Sequence, residues 1–155
     1  MADYYTQFSC IFDVSSTGNA TRAGSIRSEL AAELNCGEGA AIGFDMEVDH
    51  EHGPGALWLH SDEYGEPEHV VQFVLRCTEA LRLTGLWGFT WSLSCSKPRL
   101  DAFGGGACVI DLGRRETVAW IDSSNWVIER TSGGLGAPAP DPNAAGRVSG
   151  QKAAP

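Results

Sequence analysis

The chain lacks the segments and motifs that define several protein classes. No apolar run approaches the roughly 18 residues that a membrane-spanning helix needs. The N-terminal sequence MADYYTQFSC has no basic region followed by an apolar stretch, so we expect no secretory signal. The GxSxG, HExxH and P-loop motifs of common enzyme families are also missing. These absences favour a non-enzymatic cytoplasmic protein without a cofactor.

The cysteines are widely spaced and form no recognisable motif. The chain contains five cysteines and no CxxC pair. They are Cys10, Cys36, Cys77, Cys95 and Cys108. An odd, scattered set suits a reducing compartment and argues against a disulfide framework or a structural zinc site.

Basic residues are absent from one third of the chain. Residues 28–75 contain eleven acidic residues and no lysine or arginine, although the whole chain has a net charge of only −9. The flanking residues 1–27 and 76–155 are close to neutral, with net charges of 0 and +2. Such segregated charge steers a cationic partner and argues against direct binding of nucleic acid.

The hydrophobic pattern predicts an α+β fold with a ferredoxin-like β-α-β-β-α-β core. An added C-terminal β-hairpin and a short helix follow this core. The predicted elements are strand 8–14, helix 16–37, hairpin arms 42–50 and 56–60, helix 66–85, strand 86–95, hairpin arms 107–112 and 116–121, and helix 123–130. We expect a single domain over residues 1–131 and a flexible Gly/Ala/Pro-rich tail over residues 132–155.

Residues 45–69, here called the acidic segment, hold eight of the twenty carboxylates and all four histidines. These carboxylates are Asp45, Glu47, Asp49, Glu51, Asp62, Glu63, Glu66 and Glu68. The first four alternate with apolar residues, which predicts a row on one strand face with a spacing of about 6.6–6.8 Å. The other four follow at the far end of the hairpin, and Trp58 offers an aromatic anchor.

Two interpretations of this row remain open. A row of anions along an extended backbone resembles the phosphates of a nucleic acid strand, and would fit a basic groove on a protein that handles nucleic acid. Alternatively, the row is the solvated face of an antiparallel sheet, where charges also prevent edge-to-edge aggregation. The absence of mixed charges favours the first interpretation.

Two other candidate sites compete with the acidic segment. His50, His52 and His60 predict, as an alternative function, a small metal-dependent enzyme in which three imidazoles hold zinc. The segment 97–106, in which Lys97 and Arg99 precede a triple glycine, could offer backbone amides to an anion. A plain connection into the last hairpin explains the same glycines.

Two sequence blocks, YYTQFSCIFDV and SKPRLDAFGGGACVIDL, resemble an uncharacterised family of small bacterial proteins carried on phages, plasmids and other mobile elements. The likeness spans residues 4–121. The resemblance implies a small acidic inhibitor of a larger enzyme, of the anti-CRISPR or toxin-immunity type, and implies no catalytic residues.

These observations predict a cytoplasmic inhibitor that binds a basic nucleic-acid-binding protein or complex through the acidic segment. We expect contacts neither to nucleic acid itself nor to a membrane. The partner-binding residues would be the eight carboxylates and Trp58. Lys97, Arg99, Arg114 and Arg115 would belong to an opposite, mildly basic half that could support a homodimer.

Overall fold

A computed structural model describes residues 1–34 and 41–132. Within these ranges it contains the following strands and helices: β1 (Tyr4–Asp13), α1 (Thr17–Leu34), β2 (Asp45–Val48), β3 (Ala56–Ser61), α2 (Pro67–Leu81), β4 (Leu86–Cys95), β5 (Gly104–Asp111), β6 (Glu116–Asp122) and α3 (Ser123–Thr131). The predicted end of the first helix at Asn35 and Gly37 lies outside the described residues. So does the predicted tail, except for Ser132.

The six strands form one antiparallel sheet in the order β2-β3-β1-β4-β5-β6. This confirms a mixed α/β fold, and the predicted last hairpin and short helix are present as β5, β6 and α3. With six strands, the order as a whole differs from that of a simple four-stranded ferredoxin-like sheet. β2 and β6 are the two edges.

The chain divides into two units, Met1–Ser124 and Asn125–Pro155. The first contains the sheet, α1 and α2. In the second unit, the guanidinium carbon of Arg130 lies 5.8 Å from the centroid of the Trp126 ring. No helix in the described ranges is long and apolar enough to cross a membrane.

The hydrophobic core lies between one face of the sheet and the two long helices. β1 contributes Phe8 and Phe12, and their strand partners lie on the same face because directly paired residues point the same way. From α2, Phe73 is fully buried and meets Phe12 edge-on at 6.1 Å between ring centroids. Burial of one such ring contributes about 1.5–3 kcal/mol.

Local sequence signals explain where the two long helices begin. Ser16 Oγ accepts a hydrogen bond from the backbone of Asn19 at 3.1 Å, which caps α1. Pro67 occupies the first turn of α2, where its missing N–H costs nothing. The α2 helix ends at Leu81 because Arg82 adopts the left-handed conformation, with φ of 55°.

The triple glycine is part of β5 and not of a loop. A Cβ on Gly106 would lie 2.2 Å from Trp91 Cζ2 and 2.4 Å from the carbonyl oxygen of Ile121. Gly105 has φ of 155° and a similar approach, 2.3 Å, to the carbonyl oxygen of Trp91. Gly106 therefore lets β5 pass beneath the indole of Trp91, and Gly105 lets the β5 backbone approach that of β4.

Candidate functional site

The sheet face opposite the core carries the candidate site. Asp45 pairs with His60, which pairs with Ser9; Glu47 pairs with Trp58, which pairs with Ile11. Because directly paired residues point to the same face, these residues form two rows across three strands. This face is solvent-accessible, with Ser9, Asp45 and Glu47 exposed and Ile11, Trp58 and His60 half-buried.

The strand face does not carry four carboxylates in a regular row, and the prediction is corrected here. β2 ends at Val48, and Glu51 lies exposed in the turn that follows. The cause is the side chain of Asp49, whose Oδ1 accepts hydrogen bonds from the backbone N–H groups of Glu51, at 2.9 Å, and His52, at 3.2 Å. Asp49 closes the turn in the manner of an Asx motif.

The turn also fixes the charge state of Asp49. Partial desolvation acts to raise the pKa of this carboxyl, but the hydrogen bonds from Glu51 and His52 outweigh it and lower the pKa. The imidazole Nδ1 of His52 lies 3.0 Å from Asp49 Oδ2. Asp49 is therefore an anion that the turn holds in a defined orientation.

Trp58 and His60 form a rigid pair next to the carboxylates of β2. Their rings stack with 3.8 Å between centroids and 25° between planes. The indole Nε1 donates a hydrogen bond to Ser9 Oγ at 2.8 Å, which ties β3 to β1 on this face. His60 Nε2 is buried without a hydrogen-bond partner and lies 3.9 Å from Glu47 Oε2.

The remaining carboxylates of the acidic segment lie where β3 leads into α2. Asp62, Glu63, Glu66 and Glu68 are all exposed. This loop is anchored to β1, because Gln7 Nε2 donates to the backbone oxygen of Asp62 at 2.8 Å. Glu68 in the first turn of α2 also complements the positive end of the helix dipole. The loop begins near Asp45, so the negative charge continues beyond the strands.

The ion pairs of the described chain leave the acidic segment without cationic partners from lysine or arginine. Arginine pairs are formed with Glu29, Glu33, Glu79 and Glu116. Over residues 1–34 and 41–132, the acidic segment has only two ion pairs, both to histidine: Asp49 with His52 and Glu47 with His60. Its carboxylates therefore repel one another without compensation from arginine or lysine.

The histidines do not assemble into the predicted metal site. His60 is stacked on Trp58, His52 belongs to the turn, and His50 is exposed. In the part of the chain that the structure describes, no group of three or more His, Cys, Asp or Glu side chains is placed to hold a metal ion. The fourth histidine, His69, accepts a hydrogen bond at Nδ1 from Gly43 N–H at 2.9 Å and fixes the entry to β2.

Three thiols, two of them buried and that of Cys10 half-buried, have the character of core residues. Burial raises the pKa of Cys10 and of Cys77 to about 12 and also raises the pKa of Cys108. These thiols are therefore protonated at neutral pH, and a nucleophilic role is not supported. Cys36 lies outside the described residues.

Sequence reasoning identified Trp58 and the carboxylates but missed Ser9 and Ile11. These two residues lie on the face of β1 opposite Phe8 and Phe12, and they line a cavity together with Trp58 and Asp49. The alternation along β1 placed them away from the core, but nothing local indicated that β3 lies beside them. Comparison with protein-family models, with curated proteins and with solved structures found no significant match.

Proposed function

We propose that the protein is a non-enzymatic inhibitor that binds a nucleic-acid-handling protein through the acidic segment. One observation carries this proposal: within residues 1–34 and 41–132, the eight carboxylates form no ion pair with arginine or lysine, whereas four glutamates elsewhere in these ranges are each paired with arginine. Uncompensated like charges destabilise the free protein. A basic groove that normally holds phosphates would relieve this repulsion on binding.

The position of the segment supports the same proposal. β2 is an edge strand, and Asp45 and Glu47 project from it on the face that the core does not use. Their spacing along the strand is about 6.6–6.8 Å. The field of the segment would steer a basic partner towards this edge, so association should slow as salt is added.

We also propose that the sheet contains a ferredoxin-like core. We assign β1–β4 with α1 and α2 to a ferredoxin-like core, to which β5 and β6 are added. The antiparallel order β4-β1-β3-β2, with one helix after β1 and one after β3, supports this assignment. The resemblance to proteins of mobile elements is consistent with an inhibitor, and the free cysteines Cys10, Cys77, Cys95 and Cys108 are consistent with the cytoplasm.

The test compares two variants with the same charge and different locations. Asp49 stays intact in both because its side chain holds the turn. The face variant carries Asp45→Asn, Glu47→Gln, Asp62→Asn and Glu63→Gln. The paired-acid variant carries Glu29→Gln, Glu33→Gln, Glu79→Gln and Glu116→Gln. Each raises the net charge of −9 by four.

Each protein is immobilised and exposed to host lysate, and mass spectrometry identifies what is retained. We expect the native protein and the paired-acid variant to retain the same nucleic-acid-binding protein, and the face variant to lose it. Equal retention by the face variant would contradict the proposal. Equal loss from both variants would show that total charge, and not its location, attracts the partner.

A further inference from the structure

A groove beside the carboxylates of β2 has a defined chemistry of its own. Its volume is about 430 Å³, more than ten times the roughly 30 Å³ share of one water molecule. This is enough room for a long side chain. The groove is lined by Ser9, Cys10, Ile11, Asp49, His52 and Trp58.

The indole of Trp58 forms one wall of this groove. Trp58 lines the groove, whereas His60, which stacks on Trp58 with 3.8 Å between ring centroids, does not. The hydrogen bond from Nε1 to Ser9 Oγ holds the ring in place. The groove therefore offers an aromatic surface that is fixed before any partner arrives.

A carboxylate lies on the same groove. Asp49 is oriented by the backbone of the turn, and its side chain is 23% exposed. Among residues 1–34 and 41–132, its Oδ2 has one hydrogen-bond partner, the imidazole of His52, which is 59% exposed, and a carboxylate oxygen has a second lone pair to offer. An aromatic side chain and an oriented anion thus line one groove.

We infer that this groove takes an arginine side chain of the basic partner, with the guanidinium stacked on Trp58 and hydrogen-bonded to Asp49. The inference rests on the proposed function, because a basic partner supplies the arginine. Charge complementarity selects a cation, and the flat indole selects a planar one. Guanidinium stacks on aromatic rings and binds carboxylates through fixed N–H donors, whereas the ammonium of lysine is a compact, strongly hydrated charge.

The test uses small cationic probes and the full chain. The ¹⁵N-labelled protein is titrated at low salt with tri-arginine amide and, separately, with tri-lysine amide. The reporter is the indole N–H resonance of Trp58, assigned by its loss in Trp58→Phe. We expect saturable shifts of this resonance and of the amides of Asp49 and His52. Tri-arginine should bind at least about threefold more tightly than tri-lysine, the effect of one partly exposed cation–π contact.

The ratio of the tri-lysine Kd to the tri-arginine Kd should fall to about one in Trp58→Leu. The ratio should be unchanged in Trp126→Leu, which removes an exposed tryptophan from α3. If Trp58→Leu does not fold, the ratio in the native protein decides the matter alone. Equal binding of the two peptides would overturn the inference and leave the proposed function standing. Absence of binding by either peptide would overturn the inference and would also count against the proposed function, which the lysate experiment tests separately.

Discussion

Gly106→Ala is expected to destabilise the protein, because β5 passes beneath a core indole at this position. The new Cβ would lie 2.2 Å from Trp91 Cζ2 and 2.4 Å from the carbonyl oxygen of Ile121. One contact is with a large ring, 9% exposed, and the other is with the backbone of β6, so neither neighbour can move away cheaply. Overpacking of this kind costs about 1–3 kcal/mol.

A small opposing term reduces this cost. Replacement of glycine by alanine lowers the entropy of the unfolded chain, which stabilises the fold by about 0.4–1 kcal/mol. With a cost near the upper end of the range, the net loss is about 2 kcal/mol. For a domain of this size, about 4 °C per kcal/mol converts the loss into a decrease in Tm of about 8 °C.

Gly24→Ala is the matched control. Gly24 lies within α1, and a Cβ there meets nothing within 4 Å. The same chemical change should therefore stabilise the protein, by about 0.5–1 kcal/mol. Urea unfolding followed by circular dichroism gives both free energies. A Gly106→Ala protein as stable as the native one would refute the packing of Trp91 over β5, whatever the result for Gly24→Ala.

Three further predictions concern the hydrophobic core and the turn that follows β2. Phe73→Ala should lower the free energy of unfolding by about 3–5 kcal/mol, since this ring is fully buried against Phe12 and Phe44. Denaturant titration measures this loss of stability. A loss below about 1 kcal/mol would contradict the core described above. Asp49→Asn should be less stable than the native protein near pH 6. Folding lowers the pKa of Asp49 from its ordinary value of 3.8, so the ionised carboxylate stabilises the fold above pH 3.8. This stabilisation is lost as the pH falls through the pKa of the folded state. The difference in thermal unfolding between the two proteins should therefore vanish in acid, and a constant difference would exclude the ionised turn. Cys77 is fully buried, and burial raises its pKa to about 12, so it should react with a disulfide reagent at pH 8 at least about tenfold more slowly in the folded than in the unfolded protein. Mass spectrometry of quenched samples locates the label. Equally rapid labelling of the folded protein would contradict the burial of Cys77.

The spacing of apolar residues was sufficient to predict an element where one of its faces carries large apolar side chains. β4 was predicted with both of its ends, Leu86 and Cys95, because bulky side chains alternate along it. The α2 helix has Pro67 in its first turn and a buried stripe that includes Val70 and Phe73, and its start was also predicted; it ends at Leu81, before the predicted end at Gly85. In both elements the information lies within the segment itself.

The spacing of apolar residues did not predict those features that strand pairing or a turn determines. β5 begins at Gly104, but its glycines show no alternation of apolar and polar side chains that would predict a strand. β2 is shorter than predicted because the side chain of Asp49 closes the turn, which alternation alone does not reveal. The placement of Ser9 beside Trp58 depends on the pairing of β1 with β3, two strands separated by a helix and a hairpin arm.

The most direct test of the proposed inhibition is competition with nucleic acid. The protein retained from lysate is purified and bound to a fluorescently labelled oligonucleotide of its preferred type. The native protein and the two charge-matched variants are then titrated in, and anisotropy reports release of the oligonucleotide. We expect the native protein and the paired-acid variant to displace the oligonucleotide and the face variant to leave it bound. A complex that holds the partner, the oligonucleotide and the native protein together would contradict the proposed mimicry, because a mimic of nucleic acid cannot share the nucleic-acid-binding groove of the partner.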